Sequence, residues 1–98
     1  MADPSPTSAV HHVILFRLYP DADADEVLRR LRSLGHLPGL LAWRVERSLD
    51  ERKGVVVLQD SLFESGAALQ AFREAPEHAE VAAYMSRSAD WLVADHVQ

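Results

Sequence analysis

The chain has 98 residues, 10 lysines and arginines against 15 aspartates and glutamates, a formal charge of -5, 48% hydrophobic residues and no cysteine. That length supports one domain with a modest core, and it excludes a two-domain enzyme, a disulfide scaffold, a thiolate zinc site and a cysteine nucleophile. The acidic balance argues against nucleic acid as a partner, no apolar run approaches the roughly 20 residues of a membrane span, and no secretory signal opens the chain, so the expectation is a soluble, cytoplasmic protein.

Residues 1–9 carry two prolines and small polar residues without periodicity, which predicts a disordered tail ahead of a single domain over 10–98. Residues 10–18 are apolar or His with β-branched and aromatic members and end at Tyr19-Pro20-Asp21, the pattern of a strand closed by a turn. Asp23 with Glu26 three residues later reads as a capping box, and Val27, Leu28, Leu31 and Leu34 follow at helical spacing up to Gly35. His36-Leu37-Pro38-Gly39 is a loop, since proline holds its predecessor out of the helical region and glycine permits a sharp turn.

Leu41, Trp43, Val45, Arg47 and Leu49 alternate with Ala42, Arg44, Glu46 and Ser48, which predicts a half-buried second strand. The charged turn from Asp50 to Gly54 joins it to a third strand over 55–58, interrupted at Gln59 and Asp60. Ser65 caps a helix to about Glu74, Pro76 starts another to about Ala89, and 91–97 has the composition of a closing strand.

This order, β-α-β-β-α-α-β, is an α+β, ferredoxin-like plan with a four-stranded antiparallel sheet and helices on one face. Strand one places His12, Ile14, Phe16 and Leu18 on one side and Val13 and Leu15 on the other, so both faces are apolar. At roughly 25 cal/mol per Å² of apolar surface, leaving the second face wet forfeits several kcal/mol, comparable to the stability of a small domain. A homodimer packed sheet against sheet follows; the alternative is a monomer whose loops or tail cover that face.

The chain resembles the stress-responsive dimeric α/β barrel (Dabb) family through His12-Val13-Ile14-Leu15-Phe16, Leu37-Pro38-Gly39-Leu40, Ala75-Pro76-Glu77-His78 at the family's H-P-x-H step, and Leu92-Val93-Ala94-Asp95. The resemblance implies a ferredoxin-like subunit that dimerises into an α/β barrel. Members of the olivetolic acid cyclase type close linear polyketides by an aldol-type condensation with a histidine base and a tyrosine. That base matches His78, the tyrosine matches Phe72, and two further histidines match Val57 and Ala75, so only His12 and His78 remain of the set. Related dimers include cofactor-free monooxygenases and haem-degrading enzymes, and no residue here selects either. If the chain is an enzyme, the expected chemistry is that of a cofactor-independent cyclase or lyase-type acid–base catalyst, with no cofactor.

His78 stands out for a second reason, because it recurs with Val81, Ala82 and Met85 on one apolar helical stripe, which turns its ring inward. Burial favours a neutral imidazole able to accept a proton. The plainer alternative is a core histidine bonded to a backbone carbonyl. His11 and His12 project to opposite faces of a strand and cannot share a metal, and no metal-binding spacing occurs. The expected site is an apolar pocket between helices and sheet for a small hydrophobic or aromatic molecule. His12, Ile14, Phe16, Val27, Leu31, Val57, Gln59, Phe72, Val81, Met85 and Trp91 would surround the acid–base residue His78. The competing reading is a non-catalytic, stress-associated structural dimer with a filled interior, favoured by Phe72 in place of the tyrosine.

Overall fold

In the computed structural model, which describes residues 8–98, strand β1 (Val10–Leu18) lies between β3 (Val56–Phe63) and β4 (Ala89–Val97). Strand β2 (Leu40–Arg47) pairs with the far side of β3, giving a four-stranded antiparallel sheet of order β2-β3-β1-β4. Helices α1 (Ala24–Arg32), α2 (Gly66–Glu74) and α3 (Pro76–Ser88) complete the ferredoxin-like β-α-β-β-α-α-β order. Most of the expected tail over 1–9 lies outside the described residues. No helix among the described residues is long and apolar enough to cross a membrane.

Local chemistry sets the helix ends. The Asp23 side chain accepts from the Glu26 amide and the Ser65 hydroxyl from the Ala68 amide, each satisfying a donor that the first turn leaves orphaned. Pro76 sits in the first turn of α3, where its missing N–H is not needed. Gly39 has φ 91°, and a Cβ there would come within 2.9 Å of the Ala68 Cβ, so both the turn and the close approach to α2 require glycine. The arginines of α1 are spent on local contacts: Arg29 and Arg30 pair with Glu26, and Arg32 donates to the Val45 carbonyl.

The core lies between the helices and the inner sheet face, where Ile14, Phe16, Val57 and Phe63 meet Val27, Leu31, Leu69, Phe72 and Met85. Two expectations about the strands need correction. β3 runs on past Leu58 to Phe63, because its polar residues are accommodated on alternate faces. Gln59 and Ser61 are buried, with Ser61 donating to the His12 carbonyl, while Asp60 pairs with Arg44 on the other side. In β2 the register shifts between Leu40 and Ala42, so Leu41 is exposed instead of sharing the inward parity of Trp43 and Val45. Leu49, beyond the strand, is fully exposed.

Among the described residues no helix covers the outer sheet face. Leu15 of β1 lies opposite Leu58 of β3 and Leu92 of β4, with Val13 in the next inter-strand row. Leu15 and Leu92 are 49% and 76% exposed. Ion pairs Arg17–Asp90 and Arg44–Asp60 flank this apolar band.

Candidate functional site

A cavity of about 230 Å³ lies between the inner sheet face and helix α3. Its floor is Ile14 and Phe16 of β1 with Gln59 of β3; Leu31 and Leu34 close one side, and Trp91 and Val93 of β4 the other. Helix α3 contributes His78, Val81, Ala82 and Met85 at the spacing read from the sequence, because 3.6 residues per turn brings those positions onto one face. His12 and Arg73 complete the polar part of the wall.

Nine of the expected site residues therefore surround one cavity: His12, Ile14, Phe16, Leu31, Gln59, His78, Val81, Met85 and Trp91. Val27, Val57 and Phe72 do not line it. Val27 and Val57 are fully buried in the core, and Phe72 packs among Phe63, Trp43 and the His78 ring at centroid distances of 4.9, 5.6 and 5.1 Å. Phe72 thus supports the edge of His78 from behind the wall. Trp91 is 41% exposed and tilts against Phe16 at 5.6 Å, so it works as a cavity rim and not as core.

Three observations define the chemistry. Among the described residues the His78 ring has no hydrogen-bond partner, unlike a core histidine tied to a backbone carbonyl. Its pKa is lowered from the ordinary value of 6.5, first by burial, then by the positive charge of Arg73 and by His12, so at pH 7 it is the neutral base. His12, almost fully buried, places its Nδ1 2.5 Å from Asp95 Oδ1. Since an ionised carboxylate only accepts, the hydrogen of this contact is assigned to Nδ1. The other Asp95 oxygen accepts from Arg73 at 3.2 Å.

Sequence reasoning missed Asp95 and Arg73. Asp95 becomes the partner of His12 only through the β1–β4 register, in which the two residues lie directly opposite; Arg73 reaches the cavity from the exposed side of α2. Outside the cavity, His11 stacks on His96 at 4.6 Å on the outer sheet face, so the adjacent histidines do diverge. Among the described residues no group of three or more His, Asp or Glu is placed to hold a metal ion.

The architecture is that of a small ferredoxin-like α+β domain with an inner-face cavity walled by histidine. The chain belongs to the stress responsive A/B barrel domain (Dabb) family, whose sequence model matches residues 10–98. Its fold is shared with the hydroxynitrile lyase from Passiflora edulis, at 19% identity over 95% of each chain with a TM-score of 0.80. It is also shared with SnoaB, a cofactor-independent oxygenase from Streptomyces nogalater, at 16% identity over 93% of each chain with a TM-score of 0.77. A dimeric ferredoxin-like protein of unknown function from Thermobifida fusca superimposes with a TM-score of 0.82 at 15% identity, over 99% of this chain and 100% of that one. At these identities the likeness is one of fold. No curated protein matches the chain.

Proposed function

We propose that the protein binds a small hydrophobic or aromatic molecule in the inner-face cavity and that His78 acts on it as a general base without a cofactor. The observation that carries this reading is a neutral imidazole, without a hydrogen-bond partner among the described residues, in the wall of an apolar cavity beside Gln59 and His12. His78 would take a proton from an acidic C–H or O–H of the bound molecule and return it at a later step. Negative charge left on a carbonyl oxygen would need a donor, and the Gln59 amide, which has no hydrogen-bond partner among the described residues, is placed on the same cavity wall. Catalysis of this kind is worth about 10²- to 10⁴-fold.

The volume restrains the substrate class. At about 230 Å³ the cavity is below the roughly 300 Å³ at which sites for drug-sized ligands begin, which favours a single ring with a short substituent over an extended polyketide. A lyase- or isomerase-type proton transfer on a small molecule therefore fits better than cyclisation of a long chain. The same open cavity and free ring argue against the purely structural dimer with a filled interior.

A homodimer through the outer sheet face belongs to this reading, supported by the exposed leucines there and by structural neighbours described as dimeric. The test is binding of single-ring aromatic ketones, followed by calorimetry and by thermal unfolding. Wild type should show saturable binding and a raised Tm. His78→Ala should retain binding within a few fold and lose proton exchange at the carbon next to the carbonyl. Absence of binding by every ring compound, or proton exchange undiminished in His78→Ala, would overturn the proposal.

A further inference from the structure

Among the described residues Arg73 is the only one with a permanently charged side chain in the wall of a largely apolar cavity. A guanidinium offers five N–H donors in a planar fork. One of them meets Asp95 Oδ2, at the long end of the range at 3.2 Å, and the side chain is 42% exposed, so most of the fork remains free at the cavity mouth. Asp95 does not line the cavity, and its second oxygen is engaged by His12, so this carboxylate is divided between two donors and not devoted to Arg73.

The field of Arg73 reaches the base: it is among the causes that depress the His78 pKa. An anionic oxygen placed between them would therefore meet a cation on one side and a neutral ring on the other. The chain's overall charge of -5 does not oppose this at close range, because exposed charges are screened over about 8 Å at physiological ionic strength. The apolar remainder of the wall, with Phe16, Leu31 and Trp91, suits the body of the same molecule.

We infer that Arg73 is a specificity-determining residue and that the ligand is a small apolar monocarboxylate, its carboxylate on the Arg73 fork and its hydrocarbon body inside the cavity. The inference rests on the proposal that the cavity is a ligand site. It also gives the Asp95 contact a role, since Asp95 holds the guanidinium at the mouth when no acid is bound.

The experiment compares benzoate with its neutral isostere benzamide by titration calorimetry, for wild type, Arg73→Gln and Arg73→Lys. Wild type should bind benzoate roughly 5- to 20-fold tighter than benzamide, the range for a charge-assisted pair that is partly solvated. The preference should shrink as salt is raised. Arg73→Gln should lose the preference while keeping its benzamide affinity, and Arg73→Lys, which keeps the charge but not the fork, should retain part of it. Equal affinity for the two compounds in wild type, or a preference that survives Arg73→Gln, overturns the role of Arg73 and leaves the cavity proposal standing. Binding of neither compound while an aromatic ketone still binds overturns the inference about acids alone, and binding of no ring compound at all overturns both.

Discussion

Replacing Asp95 by alanine removes the contact that fixes His12 and, with it, the pair to Arg73. The His12 side chain is 5% exposed and Asp95 35% exposed, at 2.5 Å. A hydrogen bond to a charged group contributes roughly 1.5–3 kcal/mol in a buried setting, and the partial exposure of Asp95 reduces this to about 1–2 kcal/mol. The Arg73–Asp95 pair, with both side chains well exposed, adds about 0–1 kcal/mol. Asp95→Ala should therefore destabilise the fold by about 2 kcal/mol, which for a domain of this size lowers Tm by roughly 8–16 °C. Asp95→Asn, which keeps an acceptor for the His12 Nδ1–H, should lose about half as much. The assay is thermal unfolding at one fixed protein concentration, because the Tm of a self-associating protein depends on concentration. Imidazole nitrogen NMR gives the second readout, since loss of the carboxylate should release the Nδ1–H tautomer of His12. A Tm change below about 2 °C together with an unaltered His12 spectrum would show that Asp95 does not fix His12.

The depressed pKa of His78 sets a pH dependence. Above the unfolded value near 6.5 the ring is neutral in both states; below it the unfolded chain takes up the proton first, so stability falls with decreasing pH until the folded pKa is passed. His78→Gln should flatten that slope, and a ring titrating at or above 6.5 by NMR would contradict it. Leu15→Asp on the outer sheet face should weaken the proposed dimer at least about 100-fold, since two-fold symmetry applies the lost burial and the added charge twice; sedimentation showing a dimer unchanged by the substitution would count against that interface. Gly39→Ala should cost about 1–3 kcal/mol in denaturant unfolding, from positive φ and the approach to Ala68; an unchanged midpoint would show that the turn relaxes freely.

How much of this was legible in the sequence depended on the range of the interaction. Local patterns carried far: Asp23 and Ser65 mark helix starts, Pro76 opens α3, and the stripe His78, Val81, Ala82, Met85 reaches the cavity as one face. β1 alternation correctly separates buried His12, Ile14 and Phe16 from outward Leu15. What failed needed the third dimension. Gln59 looks like a strand end until Ser61 is seen to bond the His12 carbonyl and Asp60 to pair with Arg44 across β2. A bulge that exposes Leu41 has no signature in an alternating run. Asp95 and Arg73 are 22 residues apart and join only when β4 settles beside β1 and α2 packs over the sheet. Val57 shares its strand parity with Gln59 yet is fully buried, and Phe72 packs behind the His78 ring; periodicity alone does not separate such core positions from wall positions.

The most direct test of the central claim is a crystal structure of the protein soaked with a panel of single-ring aromatic ketones and acids. Ligand density is expected in the cavity of about 230 Å³, in contact with the His78 ring and bounded by Gln59, Met85 and Trp91. A cavity closed by repacked side chains, with the His78 ring hydrogen-bonded to a backbone carbonyl in every soak, would contradict it and leave a structural dimer.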